Sequence, residues 1–149
     1  MYTTILMPTD GSKCSEMAIK EGLKLAKAVS AKVSFLYIVE DPIRSIYIAP
    51  EIATYQPDLY ESVKRVGEEA LQVAMQMAEA QGVKASSQLV EREAPVDAII
   101  EAEKDADLLV IGTHGRRGFN RFMFGSVTEG VIRRSSKPCL IVRSSEETN

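Results

Sequence analysis

The sequence predicts one α/β domain, a doubly wound, five-stranded parallel sheet with helices on both faces. Two observations carry that expectation. Short apolar or β-branched runs alternate with helix-periodic segments along the whole chain, the pattern of strand–helix–strand units. One of those runs, Leu108-Leu109-Val110-Ile111, is apolar at every position, as a strand covered on both faces must be. A chain of 149 residues has the size of a single domain with a proper core, and it contains no internal repeat or second domain.

The elements follow in order. Ile5-Leu6-Met7 is a short apolar run, ended by Pro8 and the turn-forming Thr9-Asp10-Gly11-Ser12, and reads as the first strand. Ala18, Ile19, Gly22, Leu23, Ala26 and Val29 then recur on one helical face, with Ser12 placed to cap that helix. Lys32 to Val39 is rich in β-branched and aromatic residues and reads as strand two. Glu40 to Pro57 holds three prolines without a steady period, so a long connection is expected. Leu59, Val63, Val66, Ala70, Val73 and Met77 step by four and three, and Gly82 stands where a helix C-terminal glycine belongs. Val83 to Val90 reads as a weaker third strand. Pro95 starts a short helix with Val96, Ile99 and Ile100 facing inward. After the 108–111 strand come a glycine-rich loop, a helix from about Ser126 to Arg134, a last strand at Leu140-Ile141-Val142, and a polar tail, 144–149, expected to fray.

Composition removes several function classes. A net charge of −3 argues against general nucleic-acid binding, so any cationic site must be local. The apolar runs are too short to cross a bilayer, and the N-terminus lacks the basic-then-apolar form of a secretory signal. One histidine and two distant cysteines, Cys14 and Cys139, give no metal-ligand spacing. A reducing, cytoplasmic setting is expected, with both cysteines acting as small packed hydrophobes.

The least ordinary stretch is Gly112-Thr-His-Gly-Arg-Arg-Gly-Phe-Asn-Arg-Phe-Met-Phe-Gly-Ser126. Four glycines and three arginines follow an apolar strand and lead into a helix. Glycine in a loop costs backbone entropy on ordering, and clustered arginines repel one another, so a bound anion is the natural compensation. In open α/β sheets ligands bind beyond the carboxyl ends of the strands, and a helix N-terminus there favours a phosphate. Gly112 and Gly115 would let backbone amides approach phosphate oxygens, Gly125 would do so where the helix begins, and Ser126 would donate a hydroxyl or cap the helix. Arg116, Arg117 and Arg121 would offset phosphate charge, or lie in a solvated loop. The spacing is neither a Walker A loop nor a G-x-G-x-x-G fingerprint.

Gly112-x-x-Gly115, nine residues, then Gly125-Ser126 resembles the G-2x-G-9x-G-[ST] signature of the ATP-binding branch of the universal stress protein family. The opening from Ile5 to Ser12, the stretch from Asp107 to Gly115 and the ending from Ser136 to Arg143 are similar to that family as well. The resemblance implies a sheet order of 3-2-1-4-5, ATP at the ends of strands one and four, and a homodimer, which we expect to join along Cys139–Arg143; the phosphate-cradling spacing leads us to expect Mg or Mn beside the ATP. Carried over by position, Pro8, Thr9 and Asp10 would end the first strand beside the nucleotide. Asp10 would face the ribose or a phosphate-bound cation, or serve only the Asp-Gly turn. The backbone at Val39 would meet adenine. Gly112, Thr113, His114, Gly115, Arg116, Arg117, Gly118, Gly125, Ser126, Val127 and Thr128 would surround the triphosphate. One departure is Glu93-Ala94-Pro95, where the family often has glycine before the proline.

Three functions compete. A nucleotide-dependent stress-response or signalling module leads. A slow ATPase or nucleotidyl hydrolase comes second, because Asp10 is the one well-placed carboxylate and no base for activating water is evident. A nucleic-acid module would use Phe119, Phe122, Met123 and Phe124 for stacking, against the acidic total charge. His114 has no triad partners in the sequence and is expected to pack or hydrogen-bond structurally.

Overall fold

The computed structural model describes residues 1–40, 56–114 and 124–144. Its strands are β1 (Thr4–Pro8), β2 (Lys32–Val39), β3 (Ala85–Glu91), β4 (Leu108–Gly112) and β5 (Cys139–Val142). Its helices are α1 (Lys13–Val29), α2 (Gln56–Gln81), α3 (Pro95–Ala102), extended by a 3-10 turn at Glu103–Asp105, and α4 (Ser126–Arg134). The strands form one sheet in the order β3-β2-β1-β4-β5, with every neighbouring pair parallel.

Alternation along the central strands splits the core between two faces. Ile5 and Met7 of β1, with Val33, Phe35 and Val110, pack under α1 and α2. Leu6, Leu36, Leu109 and Ile111 pack under α3 and α4 through Ile99 and Val131. Ile5, Leu6 and Met7 are all closed to solvent, which is why the run is apolar at every position.

The helix ends explain where expectation and structure differ. Ser12 caps α1 by accepting the Ser15 N–H at 3.2 Å. Gly82, at φ 68°, ends α2, and the Val83 N–H returns to the Ala78 carbonyl at 3.0 Å. Val83 therefore belongs to the helix cap, and β3 starts at Ala85 and not at Val83. Gln56 and Pro57 open α2, although a connection through Pro57 was expected; proline is tolerated in a first helical turn because its missing N–H has no partner there. The rest of that connection, 41–55, lies outside the described residues, as does the tail from 145. The left-handed bend after β3 falls on Arg92 (φ 61°), whose guanidinium lies 5.1 Å from the centre of the Tyr60 ring.

One difference in pairing positions everything that follows. β1 pairs with β2 from Thr4 to Pro8, but with β4 only at Ile5–Leu108 and Leu6–Leu109. The Thr9 N–H bonds the Leu36 carbonyl of β2 at 2.8 Å. By strand alternation Pro8, one residue earlier, turns its nitrogen toward β4. That nitrogen carries no hydrogen, and the ladder to β4 has already stopped, so β1 includes Pro8 without losing a bond.

Candidate functional site

Beyond Leu6 and Leu109 the two central strands part, at the point where strand order reverses. The first wall of the crevice is the turn after β1. Thr9 is buried, and its hydroxyl meets Ser15 Oγ at 3.0 Å while accepting the Gly11 N–H at 3.1 Å. Asp10 Oδ1 accepts the Ser12 N–H at 2.9 Å, an Asx turn that Gly11 completes at φ 76°. Asp10 thus does serve its turn, and the turn holds it half-exposed at the crevice mouth.

The second wall is the end of β4. A Cβ on Gly112 would lie 2.8 Å from Cys14 Sγ and 3.1 Å from the Cys14 carbonyl oxygen. The missing side chain at Gly112 therefore makes room for the first turn of α1, so this glycine serves close packing. The Thr113 N–H bonds Val142 of β5 at 3.0 Å, so Gly112 turns its carbonyl toward β1, and Thr128 Oγ1 donates to that carbonyl at 2.8 Å. Thr128, expected beside the triphosphate, is buried and braces the strand end from behind.

The Gly125 N–H bonds the Thr113 carbonyl at 2.9 Å, so the glycine-rich loop leaves and returns through one hydrogen-bonded neck. Gly115, Arg116, Arg117 and Gly118, with Phe119, Arg121, Phe122 and Met123, lie outside the described residues. Gly125 is the N-cap of α4, with no side-chain cap bond, and its carbonyl takes the Glu129 N–H at 2.9 Å. Ser126 is the first helical residue and does not cap, because Gly125 already supplies the carbonyl that starts the ladder. The N–H groups of Ser126, Val127 and Thr128 precede the first intrahelical bond, at the positive end of the helix dipole. His114 Nδ1 lies 3.0 Å from Thr113 Oγ1, with Cys14 Sγ 3.7 Å away on the same hydroxyl; the bond ties His114 to its own strand end.

Val39 is fully buried, and its carbonyl accepts the Arg92 N–H at 2.8 Å. Its backbone faces β3 and turns away from the crevice. Sequence reasoning missed Ile38, whose backbone belongs to the alternate set and faces the β1 side two residues beyond Leu36. The signal that locates it is parity counted from the Thr9–Leu36 bond, which exists only once β1 and β2 are in register.

The opposite end of the sheet is closed by two carboxylates. Asp107 accepts the N–H groups of Thr3 at 2.9 Å and Thr4 at 3.2 Å and the Thr3 hydroxyl at 2.8 Å. Glu103, 3% exposed, accepts the Ser135 hydroxyl and the Ser136 N–H at 3.0 Å and hydroxyl at 3.1 Å. Burial pushes both groups up, but these hydrogen bonds outweigh it and hold each carboxyl below its ordinary value.

The pattern of the universal stress protein family matches residues 1–143. Universal stress protein MJ0531 of Methanocaldococcus jannaschii is 36% identical over 145 residues, 96% of this chain and 83% of that protein. Among solved structures, a universal stress protein in complex with cAMP is 30% identical, with a TM-score of 0.68 over 97% of this chain and 98% of that one. Universal stress protein UspA from Lactobacillus plantarum shares the fold at a TM-score of 0.81 and 24% identity, over 95% of this chain and 98% of its own.

Proposed function

The chain belongs to the universal stress protein family, and from that premise we propose that it is an ATP-binding member, a nucleotide-dependent stress-response or signalling module with slow or no hydrolysis. The observation that carries this reading is the start of α4: N–H groups without a capping side chain, directly after a loop of glycines and arginines and across the crevice from the Thr9–Ser12 turn. A relative of 30% identity is held with cAMP, an adenine nucleotide, which supports a nucleotide as the anion.

In this reading the triphosphate lies on the Ser126 and Val127 N–H groups, enclosed by Gly115, Arg116, Arg117, Gly118 and Gly125. Thr113, His114 and Thr128 hold the neck in place, and Pro8, Thr9 and Asp10 border the ribose. Adenine pairs along the backbone edge at Ile38, where an N–H and a carbonyl on the same side match its ring acceptor and amino donor. Among the described residues no group of three or more His, Cys, Asp or Glu gathers to hold a metal. Mg or Mn fits only as a companion of the phosphates, with Asp10 as its protein oxygen; when bound, it would offset phosphate charge.

Slow or absent turnover follows from the same parts. A helix N-terminus and glycine amides hold phosphates in ground and transition states alike, and uniform binding does not raise turnover. We also assign a homodimer joined along Cys139–Arg143, since β5 is an edge strand with Leu140 38% exposed. A cytoplasmic setting fits the two free cysteines, and no helix among the described residues is long and apolar enough to cross a membrane.

A thermal-shift titration with ATP and magnesium tests the central proposal, because selective binding to the folded state must raise the melting point. No shift at concentrations well above about 1 mM, where binding energies are only about 4 kcal/mol, would sink it. Steady-state phosphate release tests the second part. Turnover at roughly one per second or faster, lost in Asp10→Ala, would make the protein an enzyme. Sedimentation at twice the chain mass, reduced to a monomer by Ile141→Lys, is expected for the β5 dimer; a dimer indifferent to that change would remove this interface.

A further inference from the structure

A cavity of about 200 Å³ lies between α1 and α2, with Thr9 and Gly11 at one end. Ile19 of α1 and Ala74 of α2, both closed to solvent, form its inner wall. Val66 and Val73 form the outer one, 41% and 43% exposed. They stand seven residues apart on one stripe of α2, so their exposure is continuous along the helix.

Among the described residues the polar lining consists of carboxylates and a hydroxyl, with no lysine or arginine: Glu16 comes from α1, Glu69 from α2, and Thr9 from the turn. Neither glutamate enters an ion pair among the described residues, although Lys24, Lys64, Lys104, Arg133 and Arg134 all do. Glu16 has a structural reason to be acidic, since it lies in the first turn of α1 and complements the helix dipole. Glu69 lies in the middle of α2, where no such reason applies. An apolar slot flanked by two carboxylates that form no ion pair among the described residues is complementary to a cation that carries an apolar body. The volume holds roughly six or seven groups of water size, at about 30 Å³ each.

We propose that the groove between α1 and α2 is a binding site for an aliphatic ammonium ion, its chain against Ile19, Val66, Val73 and Ala74 and its ammonium group between Glu16 and Glu69. The groove adjoins the proposed nucleotide crevice at its Thr9 and Gly11 end, while the Glu16 and Glu69 contacts need no nucleotide to be made.

The test is an amide-resolved NMR titration of the nucleotide-free protein with n-pentylammonium chloride, with 1-pentanol as the neutral probe of equal length. Saturable shifts centred on Ile19, Ala70 and Ala74 are expected. Glu16→Gln and Glu69→Gln should each weaken binding about tenfold, the loss expected of one charge-assisted contact. Ala70→Leu should fill the groove and abolish binding while the sheet amides keep their shifts. If that variant does not fold, the two glutamine variants decide the matter alone. Absence of saturation, equal affinity for pentanol, or unchanged affinity in both glutamine variants overturns the proposal. Amine affinity that falls as protein concentration rises would give the groove to a second copy of the chain and overturn it as well.

Discussion

At the amino-terminal ends of the central strands, Asp107 gathers Thr3 and Thr4, and Glu103 gathers Ser135 and Ser136. At the carboxyl ends, α4 begins without a side-chain cap, and β1 and β4 have separated. Both ends hold carboxylates and backbone N–H groups. At the closed end the acids are matched to donors inside the chain, and the result is stability. At the open end the donors of α4 point outward, and the acid, Asp10, is kept at the mouth by a turn. A buried donor left unmatched costs about 1–3 kcal/mol, so the open end is tolerable only where water or a ligand reaches it.

The contrast can be tested from the closed end first. Glu103→Ala should cost about 3 kcal/mol of unfolding free energy, because it empties a buried position and takes the acceptor from the Ser135 hydroxyl and the Ser136 N–H. Urea denaturation measures that cost, and ATP affinity should stay within about twofold of wild type, a difference of about 0.4 kcal/mol. A parallel collapse of affinity would show that the two ends are not independent.

Asp107→Asn should cost less, about 1–2 kcal/mol near neutral pH, since one oxygen still accepts. The sign of its pH dependence is set by the lowered folded-state value. A carboxyl bound more tightly in its charged form adds stability above its unfolded pKa, about 4, and loses it as pH falls through the lower folded value. Stability of the wild type should therefore fall on acidification below about pH 5, and the asparagine variant should show a shallower fall. Equal slopes would detach Asp107 from the acid response.

At the open end, Asp10→Ala should lower ATP affinity about tenfold, or 1.4 kcal/mol. Stability should drop by about 1 kcal/mol through loss of the Asx turn to Ser12. Titration calorimetry beside a melting curve separates the two effects; a stability loss with unchanged affinity would leave Asp10 a turn residue alone. The smallest effect belongs to Ser126→Ala. Since Gly125 is the cap, stability should change by no more than about 0.5 kcal/mol, and affinity by a few-fold at most. A loss of about 1 kcal/mol or more, the usual value of a cap, would restore Ser126 as the capping residue.

Much of this protein is legible from its residues alone. The alternation of runs and periodic segments determined the strands and helices, and the apolar 108–111 run marked a strand covered on both faces. The Asp-Gly turn, the cap at Ser12 and the glycine at 82 follow from local backbone preferences, which act between residues close along the chain. The spacing of the glycine loop is the basis of the anion site proposed at the carboxyl end of the sheet. Tertiary structure decided the rest. Gly112 yields its space to Cys14, ninety-eight residues away along the chain, and Thr128 braces a carbonyl that β1 leaves unpaired. The backbone facing the crevice at the end of β2 is that of Ile38 and not Val39, because one bond, Thr9 to Leu36, sets the parity. A strand's own sequence specifies that its residues alternate. Only the register with a neighbouring strand, fixed by packing across the sheet, specifies which half of them faces the crevice.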